Sequence, residues 1–233
     1  MKVFLTGTDT GVGKTFVTAL LTESLRRTGI QAVAVKPFCC GDRADIDLLR
    51  TASNKVISEA ETTPVWLPSP VAPSVAARLE GKCVSLDSLS SWFHRLSHTY
   101  PVIIVEGAGG WLVPINDSDT IADLAVRLDL PVVPVVANRL GCLNHALLTL
   151  ECIRSRNLKC PGIILNTLAE NSDLATQTNA GELSRHTRII MEITHGQREI
   201  PPHDLAEFLE AVNSSTDHQA PQLADAGTAR NFS

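Results

Sequence analysis

A glycine-rich stretch near the N-terminus constrains the fold of this chain more than any other feature. Residues 7–15 read GTDTGVGKT and directly follow the apolar segment 2–6, KVFLT. That segment is β-branched and aromatic enough for a buried strand. The apolar residues after the loop recur on one face of a helix: Val17, Leu20, Leu21 and Leu25. The residues therefore predict a strand, a phosphate-binding loop and a helix, in that order.

The loop carries the groups that a nucleoside triphosphate needs. Its backbone N–H groups and the positive end of the helix can hold phosphate oxygens, Lys14 can reach the terminal phosphates, and the Thr15 hydroxyl can bind Mg²⁺. The spacing departs from the usual pattern, because Gly7 lies one residue too early and Thr8 occupies the strict position of the first glycine. A glycine-rich turn before an ordinary helix is the alternative. The flanking elements and the Gly-Lys-Thr end favour the nucleotide site.

Length and composition narrow the class of protein. The 233 residues suit one large α/β domain. A net charge of -5 gives no electrostatic reason to expect nucleic acid or an anionic membrane, so a small-molecule partner is predicted. The N-terminus lacks the hydrophobic length of a secretory signal, and the longest apolar stretch, 131–137, is strand-sized. Six cysteines without paired spacing indicate reduced thiols, so a cytoplasmic location is expected.

Apolar runs alternate with helical patterns along the rest of the chain. Strands are predicted over 31–36, 101–105, 131–138 and 162–166; helices over 74–79, 85–100, 172–185 and 204–212; and a proline-rich loop over 62–73. Another helix is predicted from an N-cap at Asn144 to about Arg156. This alternation predicts an α/β fold with a doubly wound, mainly parallel sheet of the P-loop NTPase type. Residues 1–212 are expected to form a single domain, and the polar, aperiodic residues 213–233 a disordered tail.

Charged residues follow several predicted strands. Lys36 ends the second strand, and Asp42, Asp45 and Asp47 crowd the next turn, on the side where open α/β sheets bind ligands. Any of these acids is equally compatible with a solvated helix start. Glu106 ends the clearest central strand and is followed by glycines, an arrangement typical of a magnesium-binding carboxylate with a turn that approaches phosphate closely. A purely structural glycine turn is the alternative there.

Together these motifs resemble the dethiobiotin synthetase family. The resemblance is carried by residues 7–15, Lys36-Pro37, EGAGGW at 106–111, LGCLNH at 140–145 and Asn166. It implies a homodimeric, ATP-dependent ligase of biotin biosynthesis that requires Mg²⁺. In the implied reaction, 7,8-diaminononanoate and CO₂ give a carbamate, which is phosphorylated and then attacked by the neighbouring amine to close the cyclic urea.

The resemblance also implies roles for individual residues. Lys14 and Lys36 would neutralise charge on the transferring phosphoryl group and the carbamate, while Thr15, Asp45 and Glu106 would hold magnesium. Two lysines and a metal suit a loose phosphoryl-transfer transition state, which needs positioning and positive charge more than covalent help.

Nucleotide and substrate contacts follow from the same resemblance. The implied ATP contacts are Gly11, Val12, Gly13, Lys14, Thr15, Phe16, Asp45, Glu106, Gly107, Ala108, Gly109, Asn166, Thr167 and Thr194. Among them Asn166 would read the adenine, and Thr194 is the counterpart of a purine-contacting proline. The implied substrate contacts are Thr10, Cys40, Leu143 and Asn144. The last two would bind the substrate carboxylate across a dimer interface. A helix N-terminus there could attract the negative charge of the carboxylate.

Two positions depart from the family pattern. Gly11 stands where many members have glutamate, and Cys40 stands where many have a serine that touches the substrate. A thiol beside Lys36 is predicted to favour its thiolate form and to be reactive. The alternative is a pair of buried, inert thiols at Cys39 and Cys40.

The sequence argues against three other P-loop functions. A partitioning or positioning ATPase would have a lysine at the start of the loop and often a basic or amphipathic element, but residues 8–12 contain no lysine and the C-terminal region is acidic and then polar. A regulatory GTPase would have an aspartate that residues 138–141 lack. An amidotransferase synthetase would need an additional glutaminase domain.

Overall fold

Strands and helices alternate along the chain, as the apolar pattern predicts. The computed structural model describes residues 1–171 and 173–214. The strands are β1 (Lys2–Gly7), β2 (Ala32–Val35), β3 (Phe38–Cys40), β4 (Val65–Leu67), β5 (Val102–Gly110), β6 (Val132–Ala137), β7 (Ile163–Asn166) and β8 (Ile189–Ile193). The helices are α1 (Lys14–Arg27), α2 (Ala44–Ala52), α3 (Glu59–Thr62), α4 (Pro73–Leu79), α5 (Leu86–Thr99), α6 (Ile121–Leu128), α7 (Cys142–Arg154), α8 (Leu174–Leu183) and α9 (Pro202–Ser214).

Six of these strands form one sheet in the order β2-β5-β1-β6-β7-β8, and every pairing in it is parallel. Parallel neighbours require crossover connections, and helices supply them on both faces. Along β1, Phe4 faces a core that includes side chains of α5 and α6. Val3 and Leu5 face the opposite core, which includes the predicted stripe of α1 and side chains of α9. The predicted doubly wound α/β fold is confirmed.

Several local predictions need correction. β5 does not end before Glu106 but continues through the glycines to Gly110, with a register shift opposite β1. The segment predicted as a turn after Lys36 contains β3 and the start of α2. Within the predicted loop 62–73, β4 pairs with β3 in a separate two-stranded parallel sheet. β8 has no counterpart among the predicted strands.

The start of α7 also differs from the prediction. The N-cap is Gly141, with φ of 90°, rather than Asn144, which lies within the first turn of the helix. A residue with positive φ ends the preceding loop there, and glycine adopts that conformation without strain. The Asn144 side chain is consequently not a cap but an exposed group on the helix surface.

The C-terminal boundary lies slightly further along than predicted. α9 extends to Ser214, so residues 213 and 214 of the predicted tail are helical. The rest of the tail, 215–233, lies outside the described residues, and the division into domain and tail stays a prediction. Within the described part of the chain, no helix has both the length and the apolar character needed to cross a membrane.

Candidate active site

The phosphate loop joins the centre of the sheet to α1. β1 ends at Gly7 and α1 begins at Lys14, so the loop lies at the carboxyl end of the central strand. Gly13, with φ of 86°, is the N-cap of α1. A Cβ on Gly13 would lie 2.2 Å from the Asn166 amide nitrogen, so the loop requires glycine here for space as well as for conformation. The first N–H groups of the helix point towards the end of the strand, where they can bind an anion.

Lys14 lies folded back against its own loop. Its ammonium donates a hydrogen bond to the backbone oxygen of Asp9 at 3.1 Å, and the residue is only 7% exposed. Burial lowers the pKa of Lys14 to about 8, although the negative charge of Glu106 opposes this effect. The Asp9 carboxylate forms an ion pair with Arg139 at 3.3 Å, which links the loop to the segment that precedes α7.

A second lysine meets two carboxylates beside the loop. Lys36 donates hydrogen bonds to Asp45 Oδ2 and, at 2.8 Å, to Glu106 Oε1. The Thr15 hydroxyl donates to the same Glu106 oxygen at 2.8 Å and lies 3.5 Å from Lys36 Nζ. Burial alone lowers the pKa of Lys36, but its interactions with Glu106 and Asp45 outweigh burial and raise that pKa above its ordinary value.

The oxygen atoms of this cluster fit a hard divalent cation. Glu106 is fully buried, and its Oε2 atom has no hydrogen-bond partner among the described residues. A hydroxyl and two carboxylates are the ligands that Mg²⁺ takes in nucleotide sites, where phosphate oxygens and water complete the octahedron. Elsewhere in the described ranges, too, no group of three or more His, Cys, Asp or Glu residues is placed to hold a metal. The donor set of Thr15, Asp45 and Glu106 therefore fits magnesium, with positions left for nucleotide phosphates or water.

These groups open into one cavity of about 610 Å³. The cavity brings together twelve of the residues predicted to lie in the site: Thr10, Gly11, Gly13, Lys14, Thr15, Phe16, Lys36, Cys40, Asp45, Glu106, Ala108 and Gly109. It is also lined by Phe38, Val113 and the segment 70–73, which the sequence analysis missed. These additional residues are mostly apolar and extend the cavity beyond the phosphate loop. The only sequence signal for them is the proline-rich loop that follows β4.

Seven predicted site residues do not line this cavity: Val12, Gly107, Leu143, Asn144, Asn166, Thr167 and Thr194. Asn166 is buried and donates from its amide to the backbone oxygen of Val12 at 2.9 Å. It therefore supports the phosphate loop from behind. Leu143 and Asn144 lie in the first turn of α7, where Leu143 is half-buried and Asn144 exposed.

The loops after β7 and β8 form a second border of the phosphate loop. The backbone N–H of Thr167 donates to Ile193 at 2.8 Å, and a His195 ring nitrogen lies 2.8 Å from the Leu168 oxygen. Thr194 donates from its backbone N–H to the Gln197 side chain at 3.0 Å. These contacts hold the two loops together. The loops lie next to Gly13, since a Cβ on that residue would be 3.2 Å from the Leu168 side chain.

The three acids that sequence reasoning could not separate have different environments. Asp45 lines the cavity and contacts Lys36. Asp42 accepts a hydrogen bond from the Ala44 backbone at 3.0 Å, next to the start of α2. Asp47 is exposed in the first turn of that helix. Only Asp45 among the three is placed to act on a ligand in the cavity.

Cys40 lines the cavity, but the prediction of a stabilised thiolate is wrong. Burial raises the pKa of Cys40, and the charge of Glu80 adds to this effect. The ammonium of Lys36 lowers that pKa, but by less than burial raises it. Burial likewise raises the pKa of Cys39 to about 11. Its thiol is within hydrogen-bond distance, 3.3 Å, of the Asp42 backbone oxygen. Both thiols are therefore protonated near neutral pH.

The sequence of this chain is similar, over most of its length, to one protein family and to enzymes that share one name. A family described as an AAA domain matches residues 1–197. The ATP-dependent dethiobiotin synthetase of Akkermansia muciniphila is 43% identical over 200 residues, covering 84% of this chain and 94% of its own. The enzyme of the same name from Anaeromyxobacter dehalogenans is 41% identical over 189 residues, covering 79% of this chain and 85% of its own.

Solved structures resemble the chain in fold alone. The MinC:MinD cell division protein complex of Aquifex aeolicus aligns with a TM-score of 0.55 at 13% identity, covering 96% of this chain and 98% of its own. MinD of Pyrococcus horikoshii complexed with Mg-ADP aligns with a TM-score of 0.55 at 17% identity, covering 91% and 86%. A plasmid partition protein of Borrelia burgdorferi aligns with a TM-score of 0.56 at 14% identity, covering 92% and 98%.

Proposed function

The chain belongs to the dethiobiotin synthetase family and is an ATP-dependent ligase that forms dethiobiotin, and we propose that the residues around the large cavity carry out this reaction. The substrates are ATP, CO₂ and 7,8-diaminononanoate. The observation that carries the proposal is that two buried lysines enter one cavity, Lys14 from the first turn of α1 and Lys36 from the end of β2. One can hold the nucleotide while the other meets the acceptor.

The first step is phosphoryl transfer to a carbamate. One amine of the diamine combines with CO₂ and loses a proton, and a carbamate oxygen then attacks the γ-phosphorus while ADP leaves. Lys14 and the loop N–H groups stabilise the phosphate oxygens, and the Lys36 ammonium stabilises the carbamate and the transferring group. Mg²⁺, held by Thr15, Asp45 and Glu106, would supply further positive charge at the phosphates.

The second step closes the ring. The neighbouring amine attacks the carbonyl carbon of the carbamoyl phosphate, inorganic phosphate leaves, and the amine proton is lost to water or phosphate. No covalent bond to the protein is needed, so catalysis depends on positioning and charge. Thr10 and Cys40 would contact the diamine, and the apolar residues Phe38 and Val113 would pack against its hydrocarbon chain.

The nucleotide base would lie on the other side of the phosphate loop. Phe16 is 39% exposed at the first turn of α1, and Asn166, Thr167 and Thr194 border the loop from β7 and β8. Val12, Gly107, Ala108 and the other glycines of the site would contact ATP through their backbones. Adenine recognition by Asn166 would require its amide to reorganise, because the amide nitrogen already donates to Val12.

The substrate carboxylate would be bound by a second copy of the chain. Leu143 and Asn144 are separate from the cavity of their own chain, and the same region exposes 83% of Leu140 and 58% of Leu148. Exposed leucines on one helix and the loop before it favour a contact between protomers. The proposed enzyme is accordingly a homodimer. We further propose that it is cytoplasmic and that its partners are small molecules, with neither nucleic acid nor membrane as ligand.

One experiment tests the function. ADP release is measured with and without diaminononanoate and bicarbonate, and dethiobiotin is detected by mass spectrometry, with Lys14→Ala as the inactive control. ADP release that depends on both substrates and matches dethiobiotin formed is the expected result. ATP turnover that responds instead to DNA or lipid vesicles, with no dethiobiotin, would identify a partitioning or positioning ATPase and overturn the proposal.

A further inference from the structure

The Lys36 ammonium lies among the three residues assigned above to the metal. Its Nζ atom is hydrogen-bonded to Asp45 and Glu106, and it lies 3.5 Å from the Thr15 hydroxyl. Oxygen atoms from α1, α2 and β5 thus converge on one positive charge. The arrangement resembles a coordination site whose cation is a side chain.

Burial explains why a cation is required at this point. Glu106 is fully buried, and a buried carboxylate without a compensating charge is strongly destabilising. Thr15 supplies one hydrogen bond to it, and Lys36 supplies the only positive charge within hydrogen-bond distance among the described residues. Lys14, equally buried, instead donates to the Asp9 backbone.

The backbone of Lys36 is fixed while its side chain can change partner. The residue directly follows β2, and its N–H donates to the Thr62 oxygen at 2.8 Å. The side chain enters the same cavity that would contain the phosphates and the carbamate. A rotation about the side-chain bonds can therefore move the ammonium without moving the sheet.

We propose that Lys36 acts as a built-in counter-ion, occupying the metal position in the free protein and leaving it when the metal-nucleotide complex binds. This inference rests on the proposed function, because it takes the metal ligands from there. Metal binding and delivery of the Lys36 ammonium to the acceptor are then one exchange of cations on the same carboxylates. Nucleotide without metal leaves Lys36 paired with Asp45 and Glu106, so the acceptor lacks its cation until the metal arrives.

The test measures metal binding to the free protein rather than catalysis. Mn²⁺ is titrated without nucleotide, and free Mn²⁺ is followed by electron paramagnetic resonance in wild type, Lys36→Met and Lys14→Met. The two variants remove one buried lysine each from the same cavity, so Lys14→Met is the matched control. We expect Lys36→Met to bind Mn²⁺ about tenfold more tightly than wild type, because a unit charge in direct contact with the ligands is gone. Lys14→Met should tighten binding by less than about threefold, since the Lys14 ammonium donates to the Asp9 backbone whereas Lys36 forms the ion pairs with both carboxylates.

Each outcome of the titration has a defined meaning. Equal tightening in both variants would show a general effect of charge, and unchanged binding in Lys36→Met would show no competition; either result overturns the inference while leaving the metal site intact. Adding Asp45→Asn to Lys36→Met should abolish the tightening. If the double variant still binds Mn²⁺ as tightly as Lys36→Met, the metal is elsewhere, and the metal assignment of the proposed function fails together with the inference. Should Lys36→Met not fold, Lys36→Gln removes the charge but keeps an N–H donor for Glu106, and its titration is read in the same way.

Discussion

At the scale of single residues, the two lysines of the cavity differ in what holds them. Lys14 donates to a backbone oxygen of its own loop, whereas Lys36 is bound by two carboxylates. The first arrangement is easily exchanged for phosphate oxygens. The second ties the lysine to the carboxylates that we propose as metal ligands. The lysines should therefore contribute to different steps of the reaction.

Replacing each lysine should separate these contributions. Lys14→Ala should abolish turnover, because the phosphates lose their principal cation. Lys36→Ala should lower kcat by about 10²- to 10³-fold while changing ATP binding much less, since it removes a charge that acts on the transferring group. Turnover at saturating substrates and ATP dissociation constants give the two numbers, and melting temperatures serve as a control for folding. Equal kcat for Lys36→Ala and wild type would remove this lysine from the mechanism.

Cys40 should be slow to alkylate despite lining the cavity. Its pKa is raised, so at pH 8 a smaller fraction is thiolate than in an ordinary thiol, and the rate should increase as pH rises towards that pKa. Cys83, which is exposed, provides an internal reference in the same sample. Iodoacetamide labelling followed by peptide mass spectrometry at several pH values measures both sites. Faster labelling of Cys40 than of Cys83 at pH 8 would contradict the dominance of burial.

At the scale of elements, the turn between β1 and α1 depends on two glycines for different reasons. Gly11 and Gly13 both have positive φ, of 75° and 86°. A Cβ on Gly11 would have nothing within 4 Å, whereas one on Gly13 would lie 2.2 Å from the Asn166 amide. Gly13 therefore couples the phosphate loop to the end of β7, and Gly11 does not.

Alanine at each glycine tests this coupling. Gly11→Ala should cost roughly 1 kcal/mol of unfolding free energy, because only backbone strain is added. Gly13→Ala should cost about 1–3 kcal/mol more, since the Asn166 amide must also move away from Val12 and lose its hydrogen bond. Urea denaturation of both variants measures the difference. Equal losses in the two proteins would mean that Asn166 adapts freely and does not support the loop.

The elements also show what the sequence alone can predict. Strands β1, β5, β6 and β7 are buried on both faces, and burial gives them continuous apolar runs that are visible in the sequence. β3 and β4 have three residues each, and pairing with each other rather than local pattern makes them strands. The segment 70–73 likewise has no local pattern that marks it as part of the site, because only the folded chain brings it to the cavity. The phosphate loop and Glu106 were found because their chemistry lies in adjacent residues.

At the scale of the whole molecule, the fold does not distinguish a ligase from a cell division or plasmid partition protein. Cell division and plasmid partition proteins share this architecture at 13% and 14% identity. Architecture common to several functions argues for none of them. The distinction rests on sequence identity to dethiobiotin synthetases and on a cavity whose apolar extension can receive a hydrocarbon diamine beside the phosphate loop.

The assembly of the molecule offers the sharpest test of the proposed site. Asn144 is exposed in α7 and does not line the cavity of its own chain, so we predict that it acts in the site of a partner chain. If Asn144→Ala and Lys14→Ala are each inactive, mixing and re-association should restore about a quarter of wild-type activity. Half of the dimers are then mixed, and each mixed dimer has one intact site.

A second mixture provides the control for this experiment. Lys14 and Lys36 line the same cavity of one chain, so mixed dimers of Lys14→Ala and Lys36→Ala contain no intact site and should stay inactive. Recovery in the first mixture without recovery in the second would assign Asn144 to the partner's site and both lysines to one chain. If neither mixture recovers although subunit exchange is verified by mass spectrometry, Asn144 does not complete a neighbouring site. A monomer in sedimentation experiments at assay concentration would exclude the shared site directly.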